Sequence, residues 1–399
     1  MKTASLPVLS FIFIGLFSAH AADWPRYRGP HLNGISKEAG LPTTFPGGAP
    51  KVLWKAKVGV GFSSIAVANG RAYTTGNADK ITDNIFCFDA ATGKEVWKHS
   101  YPAPLDPKYY EGGTSATPTV DGEHIYTFSK RGVVHCLDAA KGTVVWSRDL
   151  MQEMNLTMPE WGFASSALIE GNVLYLNAGG AGLALDKRTG KEIWKSDTSA
   201  AGYSTPEPYG EGGKRALVVF GGKDAIGVNA ATGAELWRFP WKTRYAVNAA
   251  QPIVSGDKVF LSSGYDFGSG VIQLDGTSPK QIWKNKNLRT HMNSAVLWKG
   301  FLYGVDENQL QCVDFTTGEA KWADKSSGKG SLMMADGKLI VLSERGEMLI
   351  AEASPGSFKP MTRFQAIGGK CWTVPVLANG KIYCRNSAGD VVCLDVSGK

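Results

Sequence analysis

The sequence is poor in the residues on which most enzyme chemistry depends. Its 399 residues include only six histidines and six cysteines. No His-x-x-x-His or His-Glu pair occurs, which excludes the helical zinc motifs, whose ligands must share one helix face. His99, His124, His135 and His291 are scattered along the chain. Gly-x-Ser-x-Gly and a phosphate-binding loop are both missing, so neither an exposed serine nucleophile nor nucleotide phosphates have their usual local frame. Lysines and arginines form no block, and the formal charge of +7 falls only to +6 without Lys2. A nucleic-acid partner needs a basic stripe to neutralise phosphates, so none is expected. Long apolar runs are missing too, apart from one at the N-terminus.

That run is read as a signal peptide over residues 1–21. Lys2 supplies the positive start, Leu6 to Phe17 is an apolar stretch interrupted by Pro7, Ser10 and Gly15, and Ala19-His20-Ala21 is a small-x-small cleavage site. The stretch is shorter than the ~20 residues that span a bilayer. The first cysteine is Cys87, so no lipid-attachment cysteine stands at the cleavage site. The expected mature chain starts at Ala22, is periplasmic or secreted, and has no membrane span.

What is abundant points to a β protein. Apolar residues make up 43% and charged residues 20%, outside the disordered range. Glycine accounts for 48 residues, well above the usual ~7%, as tight turns require. There are 12 tryptophans, and they are periodic. Asp89-Ala-Ala-Thr-Gly-Lys-Glu-Val-Trp97 recurs as Asp138 to Trp146, Asp186 to Trp194, Asn229 to Trp237, Asp275 to Trp283 and Asp314 to Trp322. A degenerate copy starts at Glu352 and a truncated one at Asp395. The anchors are spaced by 38–49 residues, the range of a propeller blade. Each repeat reads as four short strands in a meander, as around Ser115–Val120, His124–Ser129, Val133–Leu137 and Thr143–Trp146.

The expected fold is therefore all-β, an eight-bladed propeller of four-stranded antiparallel blades over residues 51–399, preceded by a lead-in segment over 22–50. The eighth repeat lacks an outer strand, while Lys51-Val-Leu-Trp54-Lys55 has that pattern and no blade of its own. Pairing of Val52 to Ala56 with blade 8 would close the ring and remove open sheet edges. Trp54, Trp97, Trp146, Trp194, Trp237, Trp283 and Trp322 are read as blade-docking residues, each needing one acceptor for its N–H.

The Asp-x-x-Thr-Gly-Lys-x-x-Trp repeat, following strands such as Val134-His-Cys-Leu-Asp138, resembles the quinoprotein (PQQ) propeller repeat over about residues 50–399. The segment Asp23 to Ser36 resembles the lead-in of that family. The chain resembles its non-enzymatic BamB-like members more than its quinoprotein alcohol dehydrogenases. The dehydrogenase branch implies a quinone beside Ca²⁺, carboxylate and amide ligands, an Asp base and a covering pair of adjacent, disulfide-bonded cysteines. This sequence has no Cys-Cys pair, and the inner-strand starts offer only Asn248 and Asn293, with Glu160 just upstream. No catalytic residue, metal site or cofactor is expected; PQQ with Ca²⁺ is the alternative, and an envelope sensor or carbohydrate-associated module is a third reading.

Binding is expected on the face where the loops vary, at Lys98–Gly113, Ser147–Trp161, Thr75–Asn84 and Gly264–Gly270. Aromatics there include Tyr109, Tyr110 and Trp241, with Arg244 and Lys370 nearby. The candidate ligand residues are Trp161, Tyr203, Tyr245, Asn248, Arg289, Asn293 and Trp372, all in or just before inner strands, which converge on the axis of a propeller. A protein, peptide or glycan partner is expected for a monomeric chain. Cys87, Cys136 and Cys312 read as small buried residues two positions before their anchors. Cys384 and Cys393 would form a disulfide if Ala388-Gly389 makes a two-residue hairpin turn; a bulged turn would break that register.

Overall fold

The computed structural model describes residues 22–108 and 110–398, so the signal-peptide expectation for residues 1–21 and the loop residue Tyr109 lie outside the described residues. Eight sheets are arranged as blades, seven of four strands and one of five. Blade 1, for example, consists of Ala66–Ala68, Arg71–Asn77, Thr82–Asp89 and Glu95–Pro102. The inner strand of this blade is buried on both faces, whereas the outer strand Glu95–Pro102 buries little besides its tryptophan. Closure follows the expected route: Val52–Lys57 pairs antiparallel with Asp390–Asp395, setting Trp54 opposite Cys393. No helix among the described residues is long and apolar enough to cross a membrane.

The repeat motif works as a peg and socket. Asp89 Oδ1 accepts from the Ala91 and Thr92 N–H groups and from the Thr92 hydroxyl, and the Gly93 N–H closes the turn onto the Asp89 carbonyl. The tryptophan of the preceding blade then lies on that glycine: a Cβ on Gly93 would sit 2.6 Å from the Trp54 ring. Trp54, Trp97, Trp146, Trp194, Trp283 and Trp322 each donate their indole N–H to a carbonyl of the next blade's turn at 2.8–3.1 Å. Trp237 departs from the rule and donates to the Tyr209 hydroxyl of its own blade at 2.7 Å. The socket it would have used holds Pro279 where the turns of blades 1–4, 6 and 7 have glycine, and proline lacks the N–H that closes the turn.

Several expectations need correction. Cys384 and Cys393 are free, as are the other four cysteines. The hairpin turns through Ser387, Ala388 and Gly389, three residues rather than two, because the Asn386 side chain caps it by accepting from the Asp390 N–H at 2.9 Å. The ladder therefore pairs Tyr383 with Cys393 and Cys384 with Val392, and a one-residue slip turns the two thiols to opposite faces. The loops are also shorter than their sequence suggested: Arg71–Asn77, Thr82–Asp89, Glu95–Pro102 and Gly268–Gln273 extend as strands into the stretches read as loop, and Leu150–Met154 forms a short helix.

The lead-in segment is an axial plug. Trp24 exchanges backbone bonds with Val67 of blade 1, the Pro25 carbonyl accepts from Val120 of blade 2, and Arg26 reaches the Ile169 carbonyl of blade 3. Leu32 packs against Leu168 and Leu217 of blades 3 and 4. Ile35–Ser36 adds a fifth, parallel strand to Ser331–Ala335 of blade 7. Asp23 holds the Asn379 amide of blade 8. One short segment thus closes the end of the axis where the inner strands finish.

Candidate functional site: an axial chamber

At the opposite end the inner strands begin, and their approach segments enclose a chamber of about 320 Å³. All eight blades contribute, through Phe62 and Ser64, Ser115 and Thr117, Trp161 and Ser166, Tyr203 to Thr205, Val247 and Ala249, His291 to Asn293, Lys329, and Trp372 to Val374. The plug supplies Tyr27, whose hydroxyl lies 3.5 Å from the Ser294 Oγ.

The walls are held by hydroxyls bridging blade to blade. The Ser64 N–H donates to Thr117 Oγ1, Thr117 N–H to Ser166 Oγ, and Ser166 N–H to Thr205 Oγ1, at 2.9–3.1 Å. Gln251 N–H donates to Ser294 Oγ at 2.8 Å. These bonds satisfy backbone groups that no sheet ladder reaches. The sequence reading missed these residues, although Ser64-Ile65, Thr117-Pro118, Ser166-Ala167, Thr205-Pro206 and Ser294-Ala295 recur just before the inner strands of blades 1–4 and 6 and carry the signal.

Of the seven expected ligand residues, Trp161, Tyr203, Asn293 and Trp372 line the chamber. Trp372 is stacked on Phe62 at 5.7 Å and pinned by its indole N–H to Glu344 at 2.9 Å. Lys370 Nζ lies 4.6 Å from its ring. Asn293 donates to the Trp372 carbonyl at 2.9 Å, tying blade 6 to blade 8. Tyr203 meets Trp161 edge to face at 6.2 Å, and burial pushes its phenol up to about 12.

The other three lie elsewhere. Tyr245 is 44% exposed and leans on Tyr265 at 5.0 Å. Asn248 is 0% exposed; its amide donates to the Gly221 and Trp241 carbonyls and accepts from Ser263. Arg289 faces Asp306 with two nitrogens and Asp266 with a third, so its fork is already filled. Trp241, read as a loop aromatic, is buried and donates to Ser263. Glu160 is exposed and paired with Lys108.

The chamber's chemistry is one-sided. Its lining contains no aspartate, glutamate or cysteine, but it does contain Lys329 and His291. Lys329 has no carboxylate partner among the described residues, while Lys370 is paired with Glu111. Ser204, 2% exposed, has an Oγ without a hydrogen-bond partner, and so does His291 at Nδ1. Burial, reinforced by Lys329, lowers the His291 pKa. A Ca²⁺ ion takes six to eight oxygens, carboxylates prominent among them. This donor set does not fit one, and it offers no carboxylate base to a quinone.

A family model described as "Outer membrane protein assembly factor BamB" matches residues 82–324. A quinohemoprotein alcohol dehydrogenase, ADH-IIG of Pseudomonas putida, is 30% identical over 115 residues, 25% of this chain; the match spans 16% of that enzyme's length. BamB from Moraxella catarrhalis superposes with a TM-score of 0.61 at 13% identity, covering 87% of this chain and 99% of that one. Quinohemoprotein alcohol dehydrogenase from Comamonas testosteroni superposes with a TM-score of 0.68 at 11% identity, covering 94% of this chain and 81% of that one. At such identities the superpositions speak for the fold alone.

Proposed function

The chain belongs to the family described by the outer membrane protein assembly factor BamB, and from that premise we propose that it is an exported, non-catalytic binding propeller whose axial chamber receives an anionic-ended apolar group of a partner peptide. The observation carrying this reading is the chamber itself: aromatic walls from several blades, Lys329 and an unpartnered Ser204 hydroxyl, and no lining carboxylate. Aromatic faces stack on planar or apolar groups, and a lysine without a partner prefers an anion. A volume of about 320 Å³ is at the small end of the ~300–1,000 Å³ range of ligand pockets, suited to one side chain and its terminus rather than a folded domain. The surrounding loop face would hold the rest of the partner. A fold shared with both BamB and quinoprotein dehydrogenases does not choose between binding and redox chemistry; the donor set favours binding.

Two measurements test the reading. Titration of the purified protein with a tetrapeptide ending in phenylalanine, with a free or an amidated C-terminus, is followed by Trp fluorescence. The free acid should bind at least about tenfold more tightly, the equivalent of ~1.4 kcal/mol, and Lys329→Met and Trp372→Ala should abolish that preference. Equal affinities, or binding of neutral oligosaccharides instead, would refute it. Addition of PQQ and Ca²⁺ with a dye-coupled ethanol oxidation assay should give no turnover; turnover would overturn the non-catalytic assignment.

A further inference from the structure

The plug's first residues converge on one turn of blade 8. Asp23 accepts from the Asn379 side chain at 2.9 Å and from the Asn69 N–H at 3.0 Å, so it clamps blade 8 to blade 1. Trp24 exchanges two backbone bonds with Val67 at 2.8 Å. Fifteen positions after Asp23, Glu38 returns to the same turn, where its Oε2 accepts from the Gly380 N–H at 2.8 Å. Glu38 Oε1 is buried and has no hydrogen-bond partner among the described residues. The Asn379 and Ala22 N–H groups also face this carboxylate. An orphaned carboxylate oxygen is costly, and neutral amide hydrogens are a weak answer to a half-buried negative charge.

We propose that removal of the leader creates the missing cation, so that the Ala22 α-ammonium docks on Glu38 and latches the axial plug onto blade 8. The inference rests on the signal-peptide reading of residues 1–21. A leader peptidase adds water across the Ala21–Ala22 amide; Ala21 leaves with the carboxylate, and the Ala22 nitrogen is released as an amine that takes up a proton. The ammonium supplies three donors and a full charge where the uncut chain supplies one N–H. Lys381, the other cation acting on Glu38, lies on the following strand with its Nζ donating to the Asn379 carbonyl. Asp23 and Tyr383 complete the charged and titratable surroundings. The plug touches blades 1, 2, 3, 4, 6, 7 and 8, so a latch at its free end locks the ring after processing and not before.

The test uses the full mature chain, released from a fusion by a protease that leaves Ala22 first. The rate at which an N-hydroxysuccinimide ester acylates the α-amine at neutral pH is read by mass spectrometry of the N-terminal peptide. The wild type should react about tenfold more slowly than Glu38→Gln, the equivalent of one pK unit of ion pairing; equal rates would overturn the docking. A chain carrying one extra Met before Ala22 should unfold at lower urea than the Ala22-start chain, and this difference should vanish in Glu38→Gln. A difference of the same size in both backgrounds would overturn the latch without any demand on how Glu38→Gln itself folds. Sequencing of the exported protein reports separately on the cleavage: a start other than Ala22 defeats the processing step, while the acylation contrast still reports on the pair.

Discussion

Replacing Gly142 by alanine adds one methyl group at the joint between blades 1 and 2. The backbone there has φ of +71°, and the new Cβ would lie 2.5 Å from the Trp97 ring. The left-handed conformation costs an L-residue about 1–2 kcal/mol. Carbon contacts prefer about 3.5–4.0 Å, so the ring must retreat by roughly 1 Å, and such overpacking costs about 1–3 kcal/mol. Retreat also stretches the Trp97 N–H bond to the Ala139 carbonyl, now 2.9 Å, and a typical bond of this kind is worth about 0.5–1.5 kcal/mol. Together these come to about 2.5–6.5 kcal/mol. Two controls separate the contributions. Gly122→Ala has the same kind of backbone, φ of +59°, with nothing within 4 Å of its Cβ, and should cost only about 1–2 kcal/mol. Gly227→Ala has no positive φ but would place its Cβ 2.1 Å from the Trp237 indole nitrogen, so it reads the ring clash and the strained Trp237 N–H bond to Tyr209 without the left-handed backbone cost. Urea unfolding followed by Trp fluorescence and far-UV circular dichroism gives the midpoints, compared at unchanged m. If Gly142→Ala is no more destabilising than Gly122→Ala, the tryptophan does not clamp the next blade and the account of blade docking fails.

Other outcomes are expected on the same grounds. Burial, with His99 adding to it, holds the His135 pKa down at about 4 against an ordinary 6.5. The unfolded chain therefore binds more protons between those values, and stability falls as pH drops through that window by about 3 kcal/mol at most; His135→Gln should remove most of that slope in pH-dependent urea midpoints, and an unchanged slope would refute the assignment. The six buried thiols should react with a disulfide reagent only after denaturation, and non-reducing peptide maps should find Cys384 and Cys393 unlinked; a linked pair would contradict the observed register. Tyr209→Phe removes only the acceptor of the Trp237 N–H and should cost about 1 kcal/mol; a neutral result would mean that this indole has another partner.

The parts of this molecule that were legible in the sequence are those where one residue meets a partner at a fixed repeat distance. Asp89, Thr92, Gly93 and Trp97 all act within one turn or across one blade boundary, so their spacing exposes the blades, their number and the use of Trp54 to close the ring. The site was legible by half for the same reason. Inner strands converge on the axis, which places Trp161, Tyr203, Asn293 and Trp372 together. Position along a strand does not say what a side chain already holds. Arg289 is occupied by Asp306 and Asp266, and Asn248 by Gly221, Trp241 and Ser263, and all of these but Trp241 lie outside the local segment. The plug was hidden differently: Asp23 to Ser36 forms one two-residue strand and otherwise single contacts with many blades, and such contacts leave no period. The Cys384 and Cys393 pairing failed on loop length, since one residue in a hairpin reverses every side chain beyond it.

The exception at Trp237 tests whether the peg and the socket are coupled. Blade 5 has Ser278-Pro279 where blade 1 has Thr92-Gly93, and its turn closes by a Ser278 N–H bond to the Asp275 carbonyl instead of the Gly93-type bond. Trp237 then turns back over its own sheet, where Gly227 leaves room at the position that carries Cys87 in blade 1 and Cys136 in blade 2. The two departures explain each other: without the glycine socket the ring needs space at home, and Gly227 provides it. Changing Ser278-Pro279 to Thr-Gly alone should alter stability little, because Tyr209 still holds the indole. Gly227→Ala alone should be destabilising by about 1–3 kcal/mol. In the Thr-Gly background the displaced ring has a seat on the next blade, so the cost of Gly227→Ala should drop, with a coupling of about 1–2 kcal/mol between the two sites. Strict additivity in the double-mutant cycle would show that Trp237 cannot change seats, and that the departures in blades 4 and 5 are independent of each other.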